Sequence, residues 1–169
     1  MKFYKRFFGH LKTVNKHRRE VRKLCFRCGL YWQGLTHDLS KYSPIEFWNG
    51  VKFFTGTCSP HVKEREVNGY SRAWMHHKRK NKHHAEYWFD KKPVEMPEKY
   101  LREMLCDRIA ASKTYLKNKY TDSAPLQYYL THQEENQFAP STKMKLENLL
   151  MMLSVEGEDS LFRCLRKNK

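Results

Sequence analysis

The sequence predicts an all-α, single-domain helical bundle, and three observations predict it. Apolar residues recur at threes and fours along most of the chain, no stretch alternates with the two-residue period of a strand, and no internal repeat divides it. At 169 residues the chain suits one domain over residues 1–169, large enough for a real core. Hydrophobic content of 40% with 14% aromatics excludes a disordered chain, while a mean hydropathy of -0.87 requires a highly charged exterior.

Residues 2–28 read as one long amphipathic helix, with Phe7, Leu11, Val14, Val21, Leu24, Cys25 and Cys28 on its stripe and Gly29 as its stop. His10 and His17 lie two turns apart at the edge of that stripe, so either can point inward. About 10 Å separates them along the axis, and only one is expected to reach a given metal ion. Residues 30–39 form a shorter helix that carries the doublet His37-Asp38 near its C-terminal end. Ser43-Pro44-Ile45-Glu46 is a capping box with Pro at the first helical position, opening a helix to about residue 54. Glu46 is read first as a cap and second as a ligand.

Residues 55–70 contain Gly56, Pro60, Asn68 and Gly69 and read as a loop, long enough for a lid. Residues 74–88 are either one helix or two segments split at Asn81. One helix puts Trp74, His77, Asn81, His84 and Trp88 on one face, with His76, Lys80, His83 and Tyr87 beside them. A break at Asn81 lets both histidine pairs converge. Beyond Pro93 and Pro97, residues 98–119 form a helix with Leu101, Leu105, Ile109 and Leu116 inward and Glu103 and Asp107 one turn apart. Segments 125–132, 142–155 and 159–166 complete the bundle, packing onto a metal-site core of about residues 10–115.

The chemistry is organised by His37-Asp38. A carboxylate in an apolar helical run is costly to bury unless it is paired or bound to a metal. Partners of the right type are His10, His17, His76, His77, His83, His84 and Asp107, and together these nine residues are the candidate metal ligands. Imidazoles mixed with carboxylates suit one or two divalent ions of Mn, Fe, Co, Ni or Zn. The net charge of +15 attracts phosphorylated small molecules, nucleotides or nucleic acid. Five cysteines without framework spacing favour a reduced, cytoplasmic protein, with Cys25 and Cys28 as core packing. No apolar run reaches the roughly 20 residues of a membrane span, and the start lacks a signal peptide's apolar stretch, so no membrane partner is expected.

His17, the Gly34-Leu35-Thr36-His37-Asp38-Leu39-Ser40-Lys41 segment and Asp107 on a later helix resemble the HD-domain superfamily of metal-dependent phosphohydrolases, whose order is His, His-Asp, Asp on a helical scaffold. The chain more closely resembles an uncharacterised family of small bacterial and phage proteins. That likeness lies in the HDLSK and SPxEF motifs of residues 37–47, the HHKxxNxHHxEYW segment of residues 76–88 and Cys106-Asp107. The first resemblance implies an HD-like fold and metal-activated water attacking phosphorus, with Asp38, Lys41, His77 and Lys78 as catalytic residues. Lys41 stands in the phosphate-contacting position. Two departures stand out: the short interval from His17 to the doublet leaves His10 as a rival ligand, and Ser40 replaces a common Gly. Two alternatives remain, an HD-like di-iron oxygenase and a basic nucleic-acid-binding protein without catalysis. Iron content tests the first, and salt-dependent affinity without turnover the second.

Overall fold

The computed structural model describes residues 1–132 and 138–167. Its first helix, α1 (Phe3–Arg27), ends as the sequence signals: Gly29 adopts φ 77°, and Leu30 N–H closes on the Cys25 carbonyl at 2.8 Å, the left-handed stop that glycine allows. The chain turns straight into α2 (Tyr31–Thr36). Gly34 lets α2 lie against α1, since a Cβ there would stand 3.0 Å from the Cys25 Cβ.

The second helix is shorter than its apolar pattern implies. It stops at Thr36, and Asp38 takes a left-handed conformation (φ 53°, ψ 29°) before a 3-10 turn over Leu39–Tyr42. The Ser43 hydroxyl and Pro44 then open α3 (Pro44–Phe53) as expected. The expected loop at 55–70 holds a helix, α4 (Pro60–Asn68), bounded by Ser59-Pro60 and by Gly69 at φ 78°. Its one buried residue, Glu64, accepts hydrogen bonds from Ser71 Oγ and from the Arg72 and Ala73 amides. A carboxylate at the start of α5 (Arg72–Lys80) answers that helix's exposed amides and dipole, which ties α4 down.

The chain breaks after Lys80, at Asn81, and resumes in a 3-10 turn over Ala85–Trp88. A two-residue antiparallel ladder, β1 (Phe89–Asp90) with β2 (Lys92–Pro93), leads to α6 (Glu98–Leu116). Then follow α7 (Ala124–Thr131) and α8 (Pro140–Lys167), kinked at Gly157 (φ 82°). Asp122 Oδ2 accepts the Glu158 amide at that kink, and the Glu158 carboxylate pairs with Arg27 and Lys113, joining α1, α6 and α8.

The apolar core lies among α1, α6, α7 and α8. Val21, Leu24, Cys25, Leu101, Leu105, Ile109, Leu146, Leu150, Leu153 and Leu161 form it, with Cys28 and Cys106 buried in the same cluster. The N-terminal half of α1 instead packs against α3, which in turn carries α4 and α5. That second interior is polar.

Candidate metal centre

Four segments bring side chains into it: α1 supplies His17, the α2–α3 link supplies His37, Asp38 and Lys41, the end of α5 with its following turn supplies His77, His83 and His84, and α6 supplies Glu103 and Asp107. On a continuous helix the side chains of His37 and Asp38 would diverge by about 100°. Ending α2 early and placing Asp38 in the left-handed region removes that obstacle. Such backbone costs a non-glycine residue about 1 kcal/mol or more, and here it aims a carboxylate that is 1% exposed into the cluster.

Asp38 stands between two groups. Its Oδ1 lies 3.3 Å from His77 Nε2 and 3.4 Å from His83 Nε2. Its Oδ2 lies 3.4 Å from His37 Nε2, 3.9 Å from His17 Nε2 and 2.7 Å from Lys41 Nζ. Asp107 closes the other side, 2.9 Å from His17 Nε2 and 3.7 Å from His37 Nε2. Donors about 2.1 Å from a tetrahedral ion are themselves about 3.4 Å apart, the spacing Asp38 keeps from three of the rings. Three sets offer donor atoms within 4.8 Å of one another and can hold a metal ion: Asp38, His77, His83 and His84; His17, His37 and Asp107; and His37, His83 and Glu103.

Nε2 of His37, His83 and His84 and Oδ1 of Asp38 are all buried without a hydrogen bond. Leaving several such groups unpaired in one place is expensive; a cation in the Asp38, His77, His83 and His84 set would satisfy three of them, and His37 belongs to the two neighbouring sets.

The outer sides of His37, His83 and His77 are fixed. His37 Nδ1 and His83 Nδ1 donate to Glu103 Oε1 at 2.9 and 3.2 Å. Glu46 takes His77 Nδ1 and His76 Nδ1 at 2.7 Å each. A carboxylate behind an imidazole settles its tautomer and turns Nε2 inward as a ligand. Asn81 donates to Ser40 Oγ and to the His77 carbonyl, both at 2.8 Å, holding the break in place. Trp74 forms a wall, its ring 4.8 Å from His61, 5.7 Å from His77 and 4.9 Å from His84.

Burial pushes the carboxyls of Asp38, Glu46, Glu103 and Asp107 up, but neighbouring histidines, joined at Asp38 by Lys41, outweigh it and hold all four below the usual range. His37 and Lys41 are held above their ordinary values, burial notwithstanding, chiefly by Asp38. His17 and His84 are lowered by burial. The ionised form of all four acids is thus favoured beside a single lysine, and a divalent cation suits that surplus of negative charge.

The structure therefore brings together His17, His37, Asp38, His77, His83, His84 and Asp107, with Lys41 at the solvent edge, but not three other sequence candidates. His10 packs against Phe47 and Phe54, its ring filling the space where Gly50 has no side chain. His76, one step round the helix from His77, turns to Glu46 Oε1 outside the donor sets. Lys78, a further step round, lines a surface depression with Arg79, Glu86 and Tyr87. Glu46 orients histidines rather than capping α3 through its side chain or joining a donor set.

Sequence reading missed the roles of Glu103 and of His61, whose pKa burial lowers to about 3. Glu103 had a signal, an acid one turn before Asp107 on the same face. His61 had none beyond its distance from the other histidines.

Fold and site together define an all-α protein with buried His/carboxylate clusters able to hold a metal. The chain belongs to a family of unknown function, DUF5662, whose model matches residues 6–152. No curated protein and no solved structure matches it significantly. No helix among the described residues is long and apolar enough to cross a membrane.

Proposed function

We infer that the protein is a metal-dependent phosphohydrolase acting on a nucleotide or another phosphate ester. The observation that carries the reading is the convergence of buried, unbonded donor atoms on His37, Asp38, His83 and His84. Asp38, His77, His83 and His84 would hold one divalent ion, and His17, His37 and Asp107 could hold a second. The order His17, His37-Asp38, Asp107 on a helical scaffold supports kinship with the HD-domain superfamily. A mixed nitrogen and oxygen donor set favours Mn, Fe, Co, Ni or Zn. When bound, such ions provide hydroxide from water at neutral pH and polarise a phosphoryl oxygen.

The chain's own residues supply the rest. Glu103 and Glu46 keep the imidazole rings aimed without a change of tautomer. Lys41, 32% exposed at its side chain and seated on Asp38, can turn its ammonium to a substrate phosphate once Asp38 is taken by a cation, meeting charge as it develops. Trp74 and the rings stacked on it keep water out of one side.

Metal content by mass spectrometry on untagged protein tests this, comparing wild type with His37→Ala and Asp38→Asn, followed by phosphate release from a panel of esters. One or two equivalents, lost in both variants together with phosphate release while the helical signal persists, is the expected result. Protein that takes up no Mn, Fe or Zn on titration overturns the reading. So does loaded protein that consumes O2 and releases no phosphate.

A further inference from the structure

We propose that the face formed by α1 and α2 is a binding site for the phosphate backbone of single-stranded nucleic acid. Arg18, Arg19 and Arg22 line a depression of about 210 Å³ with Asn15, Leu35 and Tyr42, and no acid lines it. Arg18 is held by three hydrogen bonds: it donates to the His37 carbonyl at 2.8 Å, to the Leu35 carbonyl at 3.1 Å and to Tyr42 Oη at 3.2 Å. It is therefore a fixed positive charge at the floor. Tyr42 is itself tied to Asn15 Oδ1 at 2.5 Å, so the wall is set as well.

Neither Arg19 nor Arg22 forms an ion pair among the described residues, unlike Lys23 and Arg27 on the same helix, which hold Glu20 and Asp159. One turn apart on α1, about 5–6 Å at Cβ, Arg19 and Arg22 reach neighbouring phosphates of one strand. Guanidinium is the group best matched to phosphate, through paired hydrogen bonds.

Size and surroundings choose the ligand. Pockets that enclose a small molecule hold roughly 300–1,000 Å³, so this one takes a phosphate group while the remainder of the ligand lies outside. What lies outside is Trp32, 71% exposed and one turn from Leu35 on the same face of α2, a bare aromatic plane beside the phosphate site. Bases stack on such a plane only when they are unpaired, which favours a single strand over a duplex. The depression beside Lys78 and Arg79 is larger, about 460 Å³, but contains Glu86, whose charge opposes an anion. The net charge of +15 draws a polyanion to the surface, and the arginines decide where it settles.

This proposal goes beyond the hydrolase reading and does not rest on it, so the test excludes turnover. Fluorescence anisotropy of a labelled oligothymidylate is followed with the full chain in excess chelator over a salt series. Arg19→Ala with Arg22→Ala is expected to weaken binding about tenfold or more, and to reduce the slope of log K against log salt by about 1.4, or roughly 0.7 for each phosphate no longer neutralised. Trp32→Ala is expected to weaken binding about tenfold with the slope unchanged. Lys143→Ala with Arg163→Ala on α8 removes the same charge and is expected to leave affinity within about twofold. Equal losses in the α8 pair reduce the effect to net charge and overturn the proposal, as does an unchanged Arg19/Arg22 variant. Tighter binding of duplex than single strand, or uptake by phosphatidylserine vesicles with none of the oligonucleotide, overturns it too. All three variants alter exposed side chains, and thermal melts by circular dichroism check that each folds.

Discussion

The two halves of α1 face different interiors. From Val21 to Cys28 the chain is buried against the leucines of α6 and α8, while from His10 to His17 it is buried against Phe47, Phe54, His37 and the carboxylates of Asp38 and Asp107. On α6 the division runs between faces, with Leu101, Leu105 and Ile109 turned one way and Glu103 and Asp107 the other. The apolar interior is stabilised by removal of area from water, which depends little on what is dissolved around it. The polar interior contains carboxylates whose loss of hydration must be offset by positive charge, so pH acts there and a metal ion would too. One helix pair thus joins an interior indifferent to solution conditions to one that is not.

Metal loading separates the two most strongly. At free metal about a thousandfold above Kd, binding adds about 4 kcal/mol to stability, read as a rise in the urea midpoint. Asp38→Asn is expected to abolish that increment. Leu150→Ala, in the apolar half, is expected to cost about 2–5 kcal/mol with or without metal while the increment and the metal stoichiometry persist. Loss of the increment in Leu150→Ala would mean that the two interiors fold as one dependent unit.

The same division explains what could be read from the sequence. The apolar half announced itself: the stripes of α1 and α6 lie where the three-and-four spacing puts them, except that Leu116, expected inward, is exposed where α6 ends, and the kink at Gly157 falls between the two expected C-terminal segments. In the polar half residue types were legible but directions were not. His37, Asp38, His77, His83, His84, His17 and Asp107 were found by chemistry. That His10 and His76 turn aside depends on how α3 packs, and a left-handed Asp38 leaves no trace in hydrophobic spacing. The helix α4 was missed because its sequence is polar and only Glu64 is buried within it, although Ser59-Pro60 repeats the start signal of Ser43-Pro44.

Glu103→Gln probes the polar half without removing a donor to the main four-residue group. Both imidazoles donate to the same oxygen, Oε1, so the amide oxygen of Gln can still accept from both but no longer carries the negative charge that makes the rings basic. His37 and His83 are then weaker donors to a metal ion. Metal affinity is expected to fall about 10- to 100-fold, measured by competition with a chromophoric chelator, with the urea midpoint of the metal-free protein little changed. An unchanged affinity would remove Glu103 from the site's support.

The smallest expected effect concerns His10, a polar residue in the aromatic part of the polar half. Burial, with a smaller push from the Lys41 charge, lowers its pKa from 6.5 to about 4. Above pH 6.5 the ring is neutral in folded and unfolded chains alike and has no influence on the pH dependence. Between pH 6.5 and 4 only the unfolded chain takes up the proton, so this group destabilises the fold progressively as pH falls. Below 4 both states are protonated and the loss levels out. At pH 5.5 the difference amounts to about 1 kcal/mol. His10→Leu removes the titration, and because His10 Nε2 is buried without a hydrogen bond, the apolar replacement leaves no polar partner stranded. Urea melts at pH 7.5 and 5.5 in excess chelator should therefore show the variant losing about 1 kcal/mol less than wild type between the two values, with metal stoichiometry unaltered at pH 7.5. Equal losses in the two proteins would show that His10 is protonated in the folded chain, and a drop in bound metal would return His10 to the ligands from which its packing against Phe47 and Phe54 separates it.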